Sequence, residues 1–339
     1  MVSQRGLEVL RAIVQDYVSS REPVGSKAIV DRHQFGVSAA TIRNDMALLE
    51  EEELIVAPHT SSGRVPTDKG YRLFVDHLAE VRHISSTQKH AIEKFLDESG
   101  DVDELLGRTV RLLSQLTNQV AIVQYPSLGV TKVRHIELVS LGATRLLCIV
   151  ITDNGRVEQR MVDLDRDITE EEISPVTAIV NGKVAGAVLS EVPAALTNIS
   201  ESIAPQLHSA LTKVIEAVTS VVQANRQQKL LMAGTANLAR TEEDFAGSIY
   251  PVLDAIEEQV ILLKLFSEMS ADSGDVAVSI GREHGAGSLE QTSVMAASYG
   301  TSGEFSTLGL LGPTRMDYSN NMAAVRAVAR YLTRVLDAN

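Results

Sequence analysis

The sequence has no tryptophan, and aromatic residues make up only 4% of its 339 positions. Its hydrophobic cores must therefore be built from aliphatic side chains. There is a single cysteine, so the chain cannot form an internal disulfide or a cysteine-rich metal cluster. Because Cys148 lies in an apolar run, it is predicted to be a buried small side chain and not a reactive thiol.

Long apolar runs are also missing. No stretch approaches the roughly 18 consecutive apolar residues that a membrane-spanning helix needs. The first residues enter an amphipathic pattern instead of an apolar signal core. We therefore expect a cytoplasmic protein with no membrane contact. The length and the hydrophobic fraction of 44% are typical of two or three globular domains.

Positive charge is in short supply, since the net charge is −13. Residues 1–90 nevertheless carry 11 Lys and Arg against 12 Asp and Glu, which leaves −12 in residues 91–339. Salt screens charges beyond about 10 Å at ~0.1 M, so an acidic body is compatible with a DNA-binding head. The same acidic body argues against a DNA-binding protein without sequence preference, because such proteins gain affinity mostly from phosphates.

The pattern of residues 1–84 is that of a winged helix-turn-helix. Helical periodicity predicts three helices up to about Glu53 and a fourth helix that begins at Thr67. Between them, residues 54–57 and Val65 predict two short strands on either side of a polar tip. Three helices, a two-stranded ribbon and a closing helix make a winged helix, so we expect this segment to bind duplex DNA.

The third helix carries the candidate base contacts. In a helix-turn-helix, the N-terminal end of the second helix of the pair enters the major groove. Small residues allow close approach, Arg can pair with guanine and Asn with adenine, and a helix N-terminus favours a phosphate. Glutamates at residues 50–53 would repel DNA and so orient the helix. The predicted contacts are Ser38, Ala39, Ala40, Thr41, Arg43 and Asn44.

The predicted wing supplies a second group of contacts. Hydroxyl and basic side chains around a glycine are suited to phosphates or to the minor groove. Residues 57–72 contain three basic side chains and one acidic side chain, a local charge of +2. The predicted contacts are His59, Thr60, Ser61, Ser62, Arg64, Lys69 and Arg72.

The remaining chain predicts an α+β fold. Strands are expected in residues 120–162 and again in residues 276–312, with a mainly helical block between them. This order favours one α+β domain with a helical insertion, although two independent domains would give much the same pattern. Apolar residues at seven-residue spacing form a seam that usually packs against a helix of the same chain or of a partner. We assign this seam to a dimer interface: Leu207, Leu211, Val214, Val218 and Val221.

No pattern for catalysis or metal binding stands out. The glycine-rich residues 280–287 do not match a phosphate-binding loop or a dinucleotide-binding fingerprint. There is no nucleophile elbow and no metal-spaced set of His and Cys. We expect no enzymatic activity and no cofactor, and we expect Glu283 and His284 to be an exposed loop pair.

Five segments resemble the HrcA family of bacterial heat-inducible transcription repressors. They are residues 23–27, 37–46, 58–72, 297–300 and 309–318. The segment at residues 58–72 is the most specific of these, because the winged-helix fold in itself does not require this sequence. In one departure, many relatives have a glycine near the end of the recognition helix, where this chain has four consecutive glutamates.

The resemblance implies both a fold and a function. It implies a winged-helix domain, a GAF-like α/β domain and an inserted helical dimerising domain. From the changes in pattern and composition along the chain, we place the winged helix at residues 1–84, the two parts of the GAF-like domain at 85–164 and 247–339, and the insertion at 165–246. It further implies a repressor of chaperone genes that binds an inverted-repeat operator in double-stranded DNA as a homodimer. The GroE chaperonin is expected to support its activity, and heat to release it from DNA.

A metabolite-responsive winged-helix regulator is the alternative. A GAF-like domain can hold a small ligand, and a winged helix can report its presence. Against this, the sequence shows an aliphatic core and no convergent polar cluster.

Overall fold

The computed structural model combines helices and sheets, and it describes residues 2–59, 62–79, 85–97, 101–126, 131–153, 155–197, 199, 203–226, 229–245, 248–269, 275–285, 287–300 and 305–338. The helices are α1 (Gln4–Ser20), α2 (Ser26–Arg32), α3 (Ala39–Glu51), α4 (Asp68–Leu73), α5 (Ser86–Asp97), α6 (Val102–Thr117), α7 (Glu170–Val184), α8 (Val192–Ala195), α9 (His208–Arg226), α10 (Thr235–Arg240), α11 (Tyr250–Glu258), α12 (Val260–Glu268) and α13 (Tyr318–Ala338). The strands are β1 (Ile55–Val56), β2 (Val65–Pro66), β3 (Val120–Gln124), β4 (Val133–Gly142), β5 (Arg145–Thr152), β6 (Val157–Asp163), β7 (Leu230–Ala233), β8 (Val276–Ile280), β9 (Thr292–Tyr299) and β10 (Ser306–Pro313). No described helix has the length and apolarity needed to cross a membrane.

The N-terminal unit consists of α1 to α3, the β1–β2 ribbon and α4. Helices α1 and α2 both pack against α3, and the two strands pair antiparallel, with Val56 opposite Val65. The Thr67 hydroxyl accepts a hydrogen bond from the Gly70 N–H at 3.1 Å and so caps α4. A π-helical turn at Phe74–Leu78 continues α4. The three helices, the ribbon and the following helix lie in the order that the periodicity predicts.

A five-stranded antiparallel sheet forms the centre of the molecule, in the order β7-β3-β10-β9-β8. Helices α6 and α13 cover one face, in a core that continues without a break into the N-terminal unit. Helices α11 and α12 contribute to a second core on the other face. The sheet is thus the middle layer of three.

A separate three-stranded sheet, in the order β4-β5-β6, lies between β3 and β7 in the chain. Its inner face packs on α7 and α9 and shares one hydrophobic core with them. The segment inserted into the central sheet therefore includes these strands, and β7 returns to the central sheet. The predicted boundary between residues 164 and 165 falls between β6 and α7, inside one core. The prediction groups β4 to β6 with the central sheet because strand periodicity does not show which sheet a strand joins.

The seam on α9 belongs to this same core. Its five side chains are at most 4% exposed within a single chain, because α9 lies against β5 and β6: Leu207, Leu211, Val214, Val218 and Val221. The prediction that they form a dimer interface is therefore wrong. A row of apolar side chains on a helix has the same spacing whether it faces a sheet or a partner helix. Cys148 is buried here as predicted, and burial raises the pKa of its thiol to about 11.

His284 is also buried, so the prediction of an exposed loop pair is wrong for this residue. Its Nε2 lies 2.9 Å from the Thr292 carbonyl oxygen and must donate to it. Its Nδ1 lies 2.8 Å from the Ser279 hydroxyl and accepts from it. Burial lowers the pKa of the imidazole below its ordinary value, which favours the neutral ring.

Candidate nucleic-acid interface

The N-terminal end of α3 is exposed and ordered by a side-chain cap. The Ser38 hydroxyl accepts a hydrogen bond from the Thr41 N–H at 3.2 Å and lies 3.1 Å from the Thr41 hydroxyl. Its first turn carries no acidic side chain. Ala39 and Ala40 add little bulk to this turn, so the end of the helix can approach a flat or grooved surface closely. The positive end of the helix dipole favours an anion there.

Two donor side chains stand next to this end of α3. Arg43 and Asn44 are exposed, and neither has a hydrogen bond or an ion pair with another described residue. Ala40 is exposed one helical turn before them, whereas Ile42 is fully buried on the opposite side. The structure thus brings the predicted recognition residues together on one solvent-facing side of α3.

An ion pair that the sequence analysis missed fixes α3 against α1. The Arg5 guanidinium donates to both carboxylate oxygens of Asp45, at 2.7 and 3.1 Å. Asp45 is only 5% exposed. The sequence places Asp45 on the same side of the helix as the apolar residues Ile42 and Met46. A partner for Asp45 could have been predicted from this position, since a buried carboxylate needs one. This two-point contact fixes the rotation of the recognition helix, because Asp45 directly follows Asn44.

A second buried carboxylate holds the end of α2. Asp16, on α1, lies 3.2 Å from a guanidinium nitrogen of Arg32 and 3.0 Å from Nε2 of His33. The segment from His33 to Ser38 connects α2 to α3. Arg5 and Asp16, both on α1, therefore hold α3 and the end of α2, the two helices of the predicted helix-turn-helix.

The β1–β2 ribbon is attached to the loop between α1 and α2. Val24 and Arg64 exchange two backbone hydrogen bonds of 2.9 Å. A Cβ atom on Gly63 would lie 2.5 Å from the Pro23 carbonyl oxygen, so only glycine permits this approach. The contact links two of the segments that carry the family resemblance, residues 23–27 and 58–72.

The tip of the ribbon is closed by Ser62. Its hydroxyl donates to the His59 carbonyl oxygen at 2.7 Å and accepts from the His59 N–H at 2.9 Å. The His59 side chain is exposed beside it. Thr60 and Ser61, which the sequence also predicts as contacts, lie outside the described residues.

The three basic residues of the predicted wing contacts have partners within the chain. Arg64 donates to Glu50 at 2.9 Å, and Lys69 donates to the Glu52 carbonyl oxygen at 2.7 Å. Arg72 lies 2.6 Å from Glu283, which follows β8, so its guanidinium is engaged within the chain and its contact with DNA stays a prediction. The local charge of +2 is largely neutralised. These partners lie up to 211 residues away in the chain, so local charge counting could not find them.

The glutamates at residues 50–53 lie at the end of α3, and one of them has a left-handed backbone conformation. The helix ends at Glu51, and Glu53 has a φ of 60°, in the left-handed region that favours glycine. Glu50 neutralises Arg64, so it does not act only to repel DNA. Glu53 thus adopts a conformation suited to glycine, at the end of α3 that faces away from Ser38.

A family model and several curated proteins match this chain. The model described as "HrcA protein C terminal domain" matches residues 103–322. The chain is 61% identical to the heat-inducible transcription repressor HrcA of Clavibacter michiganensis subsp. michiganensis and 60% identical to that of Leifsonia xyli subsp. xyli. Each match covers 99% of this chain and 99% of the relative.

One solved structure shares the whole fold. It is described as that of a hypothetical protein at 2.2 Å resolution, is 23% identical, and superposes with a TM-score of 0.71 over 100% of this chain and 99% of its own. The likeness supports the architecture from the N-terminal unit to α13. The identities over the full length and the matching family model show that this chain belongs to the HrcA family.

Proposed function

We propose that this protein is a heat-inducible transcriptional repressor whose N-terminal unit is a winged helix-turn-helix that binds operator DNA. The observation that carries the proposal is the pair Arg43 and Asn44, exposed and without partners among the described residues, beside the N-terminal end of α3. The basic groups of Arg64, Lys69 and Arg72, by contrast, are held by carboxylates or carbonyl groups. The relatives' name, heat-inducible transcription repressor, supports the same function.

The contact surface is narrower than the sequence predicts. We assign base readout to Arg43 and Asn44, close approach to Ala39 and Ala40, and phosphate contacts to the capped end at Ser38 and Thr41. His59 is exposed at the wing tip, next to the half-buried Ser62. Arg64 and Lys69 serve to position the wing against α3.

We assign the five-stranded sheet and its helices to the GAF-like domain and the unit between β3 and β7 to the dimerising domain. Control by heat through the GroE chaperonin remains part of the proposal, on the basis of the family resemblance. A pocket of about 220 Å³, lined mainly by β9 and α13, is smaller than the roughly 300–1,000 Å³ of typical ligand sites, so this pocket does not support a metabolite-responsive regulator.

The homodimer needs a surface other than the buried seam on α9. We place it on the outer sheet face, which we define as the side of β4, β5 and β6 that points away from α7 and α9. Its exposed apolar side chains are Val139 (39%), Leu141 (53%), Val157 (51%) and Met161 (58%). Leu147, Ile149 and Ile151 lie between them on the central strand and are half-buried.

The apolar side chains of the outer sheet face favour contact with a second copy of the chain over exposure to solvent. A sheet covered on one side normally carries polar residues on the other side. Here the cross-strand row Val139, Leu147 and Met161 is entirely apolar. A two-fold axis through such a face would pair it with itself and present two recognition helices to the two halves of an inverted repeat.

Replacing Arg43 by alanine tests DNA readout. The change should weaken binding to the operator by about 1–3 kcal/mol, roughly 5- to 150-fold, and relax specificity at one base position. Fluorescence anisotropy with operator and scrambled duplexes measures both effects. Arg111, an exposed arginine on α6, provides the control: Arg111→Ala should bind like wild type. If wild type and Arg43→Ala bind both duplexes equally, the proposal fails.

A further inference from the structure

The N-terminal unit shares a hydrophobic core with the rest of the chain, and among the described residues two separate polar contacts also attach it. We call residues 2–79 the head and the described residues from Ser85 onward the body. In the first contact, the Arg72 guanidinium donates to both carboxylate oxygens of Glu283, at 2.9 and 2.6 Å, and to the Val278 carbonyl oxygen at 2.5 Å. Burial alone would raise the pKa of Glu283, but the hydrogen bonds from Arg72 and from the Ile280 N–H lower it overall.

The same contact is tightened at the start of α4. The Asp68 carboxylate lies 3.4 Å from the Arg282 N–H. A Cβ atom on Gly281 would lie 2.2 Å from an oxygen of that carboxylate, and Gly281 has a φ of 57°. Glycine at this turn thus lets the body approach the beginning of α4, the helix that directly follows the wing.

The second contact lies at the other end of the head. Arg315 donates to both oxygens of Asp244, each at 2.7 Å, and to the Val18 carbonyl oxygen at 2.6 Å. Arg315 is 9% exposed and Asp244 is 4% exposed. Arg21, next to the end of α1, adds a further contact with Asp244 at 3.4 Å. A buried cation thus binds the C-terminal end of α1, where the helix dipole favours positive charge.

Next to Arg72 on α4, the aromatic ring of Tyr71 in the head lies against that of Tyr318 in the body, with centroids 5.5 Å apart. Both rings belong to the core that runs through head and body. Arg315 and Tyr318 lie in residues 309–318, a segment of the family resemblance to which DNA readout assigns no role. Contacts at the end of α1 and along α4 restrict rotation as well as translation of the head.

We propose that this head–body junction, formed by Arg72 with Glu283 and by Arg315 with Asp244, determines which half-site spacing the repressor accepts. The inference rests on the proposed function, in which a dimer binds two half-sites. Each inserted base pair moves a half-site by about 3.4 Å and turns it by about one-tenth of a helical turn. A rigidly held head cannot follow that displacement, whereas a head on a loose connection can. The junction residues thus select operator geometry without touching DNA.

The test compares wild type with the double variant Arg72→Met and Arg315→Met, which removes both guanidinium groups and keeps side-chain length. The probes are a single half-site duplex and operator duplexes selected from random DNA, with the spacing changed by one or two base pairs. Wild type should lose at least about tenfold in affinity for the altered operators. The double variant should bind the single half-site within about twofold of wild type and lose less than about threefold on altered spacing.

Several outcomes would overturn the inference, and each is distinguishable from failure of the proposed function. If wild type binds no half-site specifically, the proposed function fails. If wild type binds but tolerates altered spacing, or if the double variant keeps the wild-type penalty, only the junction's role fails. Should circular dichroism show that the double variant is unfolded, Glu283→Gln replaces it, with a smaller but measurable loss of the spacing penalty expected. An unchanged penalty in that variant also overturns the inference. Arg111→Met is the matched control and should keep the full penalty.

Discussion

Replacing Leu211 by alanine separates a core role of the α9 seam from an interface role. Leu211 is fully buried within one chain, in the core shared by α7, α9 and the three-stranded sheet. Deleting buried Leu side chains to Ala costs about 2–5 kcal/mol, with the larger values where the surroundings cannot collapse into the cavity. Strands β5 and β6 on one side of α9 restrict such collapse, so we expect a loss of about 3 kcal/mol or more.

Urea unfolding followed by circular dichroism, at one fixed protein concentration, measures this loss. The concentration must be fixed because dimer formation itself adds to the apparent stability. Sedimentation velocity under native conditions measures association separately. Leu211→Ala should lower the unfolding midpoint and leave a folded protein that still associates.

Met161→Ala on the outer sheet face is the matched control. Its side chain is 58% exposed, so its loss should change the stability of the single chain by less than about 0.5 kcal/mol. The same change should weaken association, because Met161 lies on the proposed dimer surface. The reasoning is refuted if Leu211→Ala dissociates the dimer without loss of stability and Met161→Ala leaves association unchanged.

Two further predictions concern the head and the turn that contacts it. Glu53→Gly should stabilise the protein by about 1 kcal/mol, since Glu53 occupies a left-handed conformation that glycine adopts without strain; thermal unfolding measures this, and a lower Tm contradicts it. His284 has a lowered pKa in the folded state, so its contribution to stability is complete above about pH 6.5 and is lost as the pH falls below that value. Urea midpoints at pH 7.5 and 5.5 should differ more for wild type than for His284→Gln, and equal differences would argue against the buried neutral ring.

Local features of the head could be predicted from the sequence because they depend on short-range rules. Ser38 and Thr67 are capping residues next to helical periodicity, and both cap helices in the structure. The two strands around the polar tip follow from the apolar run at residues 54–57 and from Val65. The exposure of Arg43 and Asn44 follows from their position opposite Ile42 on the helix.

Features that depend on distant partners could not be predicted. Nothing near Arg72 in the sequence indicates Glu283, and the count of charge over residues 57–72 leaves this distant carboxylate out. Strands β3 and β4 are separated by a few residues and join different sheets, because β3 pairs with β7 and β10. The periodicity of α9 shows that one side is buried but does not identify what buries it.

The central claim is that this chain reads a two-fold symmetric operator through the N-terminal end of α3. Selection of bound sequences from random duplex DNA by the purified full-length protein, at physiological salt, tests it most directly. The account predicts one enriched motif that occurs twice in inverted orientation at a fixed spacing, with one base position losing its preference in Arg43→Ala. Enrichment of no motif, or the same full motif with Arg43→Ala, would contradict it.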